Sequence, residues 1–168
     1  RASGTLTFNP GVTLLTVPVA ATGDGVNECV EDFSLELTNP IGLSCGNVSI
    51  NDSSGTATII DDDAVQVSVT APGPGAEDSS LVFTVSLDTV STQTVKVDYA
   101  TKDFGATSVD DYMAVSGTLL FNPGVMLLTV PVLTYDDAVN ECDKTFLLEL
   151  TNPIGLSCAS VSIGTPPF

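Results

Sequence analysis

Ser116-Gly-Thr-Leu-Leu-Phe-Asn-Pro-Gly124 is the second appearance of Ser3-Gly-Thr-Leu-Thr-Phe-Asn-Pro-Gly11. Leu148-Glu-Leu-Thr-Asn-Pro-Ile-Gly-Leu-Ser-Cys158 likewise repeats Leu35 to Cys45. Both offsets are 113 (116 − 3 and 148 − 35), and residues 3–50 match 116–163 without a gap at 35 of 48 positions. Such a match marks a duplicated structural unit. The chain therefore holds about one and a half units. Residues 1–63 are the C-terminal half of one (unit one), and residues 64–168 are a second that lacks its last strand (unit two).

Working outward from the repeated words, apolar residues keep period two. Val65, Val67 and Val69 alternate with mostly polar neighbours, as do Leu81, Phe83, Val85 and Leu87. Val95, Val97 and Tyr99 follow, then Leu119 and Phe121, Met126 to Val132, Phe146 to Leu150, and Val161 with Ile163. Period two is the signature of half-buried strands. Asn122-Pro-Gly124 and Asn152-Pro-Ile-Gly155 read as turns. No long helical stripe interrupts the pattern. About seven short strands per ~110 residues predict an all-β, immunoglobulin-like β-sandwich in tandem repeats of 113 residues, with both units built of strands.

Composition narrows the function. Four cations against 21 carboxylates give a net charge of −17, and the chain has no His and no Trp. Such a surface repels nucleic acid and anionic membranes, so neither is an expected partner. Without His there is no His-based triad, metal site or general base in this chain, and no enzyme is expected. The apolar fraction of 43% is ample for a core. The longest apolar runs, such as Val125–Leu128, are far shorter than the ~20 residues of a membrane helix. Arg1 is not a start residue, so the chain reads as a piece of something longer or processed.

Several words together resemble the Calx-beta domain. They are Val97-Asp-Tyr-Ala-Thr-Lys-Asp-Phe-Gly-Ala-Thr107, Asp111-Tyr112, Ser116 to Gly124, Thr145-Phe-Leu-Leu-Glu-Leu-Thr-Asn-Pro153 and Thr58-Ile-Ile-Asp-Asp-Asp63. They span almost the whole chain in the family's order. The resemblance implies a seven-stranded sandwich used in tandem, as in sodium–calcium exchangers, an integrin subunit, adhesion receptors, and matrix and sponge aggregation proteins. It also implies calcium in the loops at one end, since calcium takes six to eight hard oxygens and clustered carboxylates repel until a cation joins them.

Carried over by motif, the unit-two ligands are Glu77, Asp103, Asp136, Asp137, the Val139 carbonyl and Glu141. Lys144 stands where calcium-binding members place another acid. In unit one the corresponding loop holds Asp24, the Val26 carbonyl, Glu28 and Glu31, with Gly23 in place of the first acid. Asp61, Asp62 and Asp63 match the closing acidic triplet. The bland alternative is that these acids are simply a solvated surface.

Cys29, Cys45, Cys142 and Cys158 repeat with the unit, and four cysteines in an extracellular β-protein are expected to form disulfides. Pairing within units, Cys29–Cys45 and Cys142–Cys158, is one reading. Its difficulty is that the intervening strand would hold the thiols roughly 20 Å apart. In the family's fold the calcium loops lie where the chain exits to the next domain. That implies a second reading, in which Cys29–Cys158 bridges adjacent units, Cys142 bonds the next copy and Cys45 the previous one. Free thiols are the third. Asn47-Val-Ser49 and Asn51-Asp-Ser53 are glycosylation acceptors if the chain is secreted.

These readings favour an extracellular or cell-surface structural and adhesive module, part of a calcium-stabilised, disulfide-stapled rod or filament. Its partners would be neighbouring repeats or further copies of itself, with strand exchange as one route. The alternative is a regulatory calcium-sensing domain pair of a membrane protein.

Overall fold

The computed structural model describes residues 3–43, 46–158 and 160–164. Its elements are strands. Unit one holds β1 (Val26–Asn27), β2 (Glu31–Glu36) and β3 (Ser54–Ile59). Unit two holds β4 (Val65–Thr70), β5 (Ser80–Leu87), β6 (Val90–Ser91), β7 (Val95–Asp103), β8 (Ser116–Phe121), β9 (Leu127–Leu133), β10 (Phe146–Gly155) and β11 (Val161–Ile163).

Unit two is the sandwich. One sheet has the order β11-β4-β5-β9 and the other β10-β7-β8. All pairs are antiparallel except β11 with β4, which run parallel from Val161↔Val65 to Ile163↔Val67. Val65, Val67, Phe83, Val85, Val130 and Val132 face inward from the first sheet, and Val95, Val97, Phe121, Leu148 and Leu150 from the second. Alternation makes this possible, because residues two apart point to the same face. Tyr112 closes one end of the core. Its ring stacks on Phe146 at 4.1 Å between centroids, and Phe146 leans on Phe83 at 5.7 Å. Pro131, opposite Val82, lies on the edge strand β9, where its missing N–H breaks no ladder.

Two sequence expectations need correction. Asn152-Pro-Ile-Gly155 does not turn the chain; it lies within β10, whose register against β7 shifts between Thr151 and Ile154. Asn152 takes φ 51° and Pro153 cannot donate, so the strand bulges there and continues. The counterpart Asn39 takes φ 52°. Asn122-Pro-Gly124 is a turn as expected, closed by the Val125 N–H on the Asn122 carbonyl at 2.9 Å, with Gly124 at φ +80°.

The second correction concerns unit one. Residues 3–25 repeat the words that form β8 and β9, yet form no strand there. Phe121 is fully buried (0%) whereas its counterpart Phe8 is 55% exposed; Val132 is at 0% and Val19 at 45%. The side chains are the same, and the difference is what faces them. Phe121 and Val132 are covered by β4, β5 and β7, whose unit-one counterparts are not in this chain. Without ladder partners and an opposing sheet, strand-forming sequence has nothing to pair with.

Candidate metal centre at the joint between units

Asp61, Asp62 and Asp63 occupy the connection from β3 to β4, so they are held between the two units. They form the one group, among the described residues, in which three or more acids bring a ligand oxygen within 4.8 Å of one another. Glu28 and Asn27 join them to line a small open cavity of about 110 Å³ that also touches Cys158. On the neighbouring side Asp24, Glu28 and Glu31 flank the same three aspartates.

Hydrogen bonds fix this arrangement. The Asp61 carboxylate accepts from the Glu28 N–H at 3.0 Å and from the Asn27 amide at 3.3 Å. The Asn27 amide also donates to the Asp63 carbonyl. Asp24 accepts from the Val26 N–H at 2.9 Å. Desolvation, then repulsion from Asp24, Glu31 and Asp61, raises the Glu28 carboxyl above its ordinary value. The Asp63 carboxyl is raised by desolvation first, then by Asp61, Asp62 and Asp24. Acids that resist ionisation because they are desolvated and face one another gain most from a hard divalent cation. The residues present fit calcium: all the donors are oxygens, and the described residues of unit one include no cation.

Asn27 was not expected from the sequence as a site residue, and it organises the joint. It is 1% exposed. With Val26 it forms β1, which pairs in parallel with β6 of unit two through Val26↔Val90 and Asn27↔Ser91. The Ser91 hydroxyl donates to its side-chain oxygen at 3.1 Å, and the Thr92 N–H to its carbonyl at 3.0 Å. Thr89 donates to the Gly25 carbonyl. Two residues down the chain, Cys29 is bonded to Cys158, with Cα atoms 5.4 Å apart. The pairing Cys142–Cys158 within unit two is therefore not formed, and Cys142 is free and exposed. Cys45 lies outside the described residues, and so does any pairing for it.

The unit-two candidates have other occupations. Asp103 accepts from the Tyr112 hydroxyl at 2.5 Å and from the Ser108 N–H at 2.9 Å, making it the anchor of a turn. Burial, then that bond to Asp103, pushes the Tyr112 hydroxyl up to about 12. Asp137 accepts from the Val139 N–H at 2.7 Å. Glu141 accepts from Lys144, whose ammonium also reaches Asp111 at 2.9 Å. Lys144 is thus a tethered cation between two acids, and it is held charged by them. Asp111 belongs to this set although only its Asp-Tyr motif was noted in the sequence. Its carboxyl is lowered by the Thr107 N–H first and Lys144 second. Glu77 and Asp136 are exposed. Asn47 and Asn51 are exposed too.

Two packed sheets with an acidic cluster at the inter-unit end define a class of calcium-site β-sandwich modules. The Calx-beta domain profile matches residues 1–63 and 64–164. The chain belongs to the Calx-beta domain family, over two adjacent segments. It is 39% identical over 61 residues to sodium/calcium exchanger 1 of Rattus norvegicus, covering 36% of this chain and 6% of that protein. For sodium/calcium exchanger 1 of Mus musculus the figures are 39% over 59 residues, 35% and 6%. The chain therefore spans only a small part of the curated relatives it matches. Among solved structures, the apo-form Calx CBD1 domain superposes with TM-score 0.50 at 24% identity, over 60% of this chain and 89% of that one. CBD12 from CALX1.2 superposes with TM-score 0.50 at 25% identity, over 59% and 41%.

Proposed function

We propose that this chain is a calcium-sensing Calx-beta pair, the regulatory segment of a longer protein similar to the sodium/calcium exchangers, in which calcium binds at the joint and sets the angle between the units. The observation that carries this is the placement of Asp61–Asp63 on the connection between units, with Asp24 and Glu28 of the β1 loop beside them. A cation bound there contacts residues of unit one and the entry to unit two together, so its binding energy couples directly to their relative position. In unit two, among the described residues, no such acidic group forms, and Lys144 is paired with Asp111 and Glu141. This reading gives the module a binding role, because its acids converge on one another at the joint.

One observation favours the second reading, an extracellular structural or adhesive rod. A disulfide across the joint suits an oxidising compartment. The exchanger relatives favour the regulatory reading, and the two are separable by experiment. Small-angle scattering with calcium and with chelator tests the first: a sensor changes its radius of gyration on binding, whereas a stapled rod binds without bending. Isothermal titration of the native chain and of Asp61→Asn with Asp63→Asn locates the site. Undiminished calcium binding by the double variant would sink this placement.

A further inference from the structure

The peptide that docks unit one onto unit two occurs a second time. Asp24-Gly-Val-Asn-Glu-Cys29 returns as Asp137-Ala-Val-Asn-Glu-Cys142, with one change in six. The two loops share their local form. In each the first aspartate accepts from the N–H two residues on, Val26 at 2.9 Å and Val139 at 2.7 Å. In unit one this loop forms the parallel pair with Val90–Ser91, buries Asn27 and delivers Cys29 to Cys158. In unit two no described strand pairs with it: Val139 is 59% exposed, Asn140 is exposed, and Cys142 is free. The one difference, Ala138 for Gly25, is permitted by the joint, since a Cβ at Gly25 meets no atom within 4 Å.

We propose that residues 137–142 are a preformed docking edge for a further unit of this same repeat, one that presents a free counterpart of Thr89-Val-Ser-Thr92 and of Cys158. Val139 and Asn140 pair in parallel with the partner's Val-Ser edge, the Asn140 side chain takes the serine hydroxyl, and Cys142 forms a disulfide with the partner's cysteine. The occupant follows from continuity with the observed joint, whose receiving face lies wholly on residues 89–92 and 158. A second copy of this chain offers no free receiving face, because its Val90–Ser91 and Cys158 are engaged by its own unit one. In the covalent step the two thiols lose two protons and two electrons to a disulfide oxidant such as oxidised glutathione, which is reduced to two thiols.

The test extends the chain by its own repeat: residues 51–164 are appended after Ile163, so that a second joint follows the first in the same register. After equilibration in a glutathione redox buffer, non-reducing peptide mapping is expected to recover Cys142 joined to the appended copy of Cys158. The Cys29–Cys158 peptide from the same digest certifies folded molecules. In the Cys142→Ser version, hydrogen exchange at Asn140 is expected to slow at least tenfold relative to the original chain, and Asn140→Leu to abolish that protection. Cys142 remaining alkylatable in molecules that carry Cys29–Cys158 would overturn the proposal. So would equal exchange at Asn140 with and without the appended unit, since a bond without docking is only thiol proximity.

Discussion

Phe8 and Phe121 are one residue in two settings, and that makes them a controlled experiment. Each sits in the same Leu-x-Phe-Asn-Pro-Gly word, but Phe121 is fully buried between sheets and Phe8 is 55% exposed. A buried Phe removes about 200 Å² from water, worth about 5 kcal/mol at ~25 cal/mol/Å². Measured Phe→Ala losses in cores run about 3–5 kcal/mol, cavity included. Phe121→Ala is therefore expected to lower the unfolding midpoint of the core by at least about 12 °C, at roughly 4 °C or more per kcal/mol for a domain of this size. Phe8 touches no part of the unit-two core cluster, so Phe8→Ala should shift that transition by less than about 2 °C, the scale of a surface change. The assay is thermal unfolding followed by circular dichroism, non-reducing and at low protein concentration. Equal losses from both variants would refute the reasoning, because they would mean that the unit-one face is covered in solution as completely as the core.

Three further outcomes follow from the joint and its counterpart. Replacing Cys29 and Cys158 by Ser removes a cross-link spanning 129 residues, and should cost about 2–4 kcal/mol of docking, read as faster amide exchange at Asn27 and Thr92 with the core transition little changed. Glu28 and Asp63 have raised pKa values in the folded joint, so without calcium the folded form holds their protons more tightly than the unfolded one. Stability of the joint should thus rise as pH falls from neutral through those raised values, while calcium affinity should fall over the same window because protons compete for the oxygens. Titration calorimetry at pH 7.5 and 5.5 checks this, and tighter binding at the lower pH would contradict it. Lys144→Glu removes the ammonium from Asp111 and Glu141 and adds a carboxylate; it should create a second calcium-dependent rise in melting temperature, absent from the native chain.

The fold was legible because burial in a sandwich is written in period two: Val65-x-Val67 and Phe83-x-Val85-x-Leu87 face inward as their spacing requires. The words Leu6 to Val19 carry the same spacing and form no strands, because a local pattern states what a segment can bury, not whether anything arrives to bury it. Asn152-Pro153 carries turn chemistry that a bulge also uses, and only its pairing with β7 decides between them. At the site, the acidic triplet was visible as consecutive aspartates. The role of Asn27 was not, since a polar residue between acids looks solvated until Ser91, 64 residues away, is placed against it. The grip of Lys144 on Asp111 is equally non-local, at 33 residues. The repeated Asn-Glu-Cys word was the one available hint that this loop makes a contact.

The Cys29–Cys158 bond also decides how the molecule carries load. A pull applied to the chain on either side of the bridge passes from Cys29 to Cys158 through two sulfurs and never enters the strands between them. The enclosed chain, 129 residues long, is slack held in reserve, about 440 Å at full extension. Oxidised, the module behaves as a short link in which only β1 and β11, the strands outside the bridge, are pulled against their partners. Reduced, the same pull must first undo the β1–β6 pairing and then reaches the sandwich, so the redox state of one bond selects between a tether and a spring.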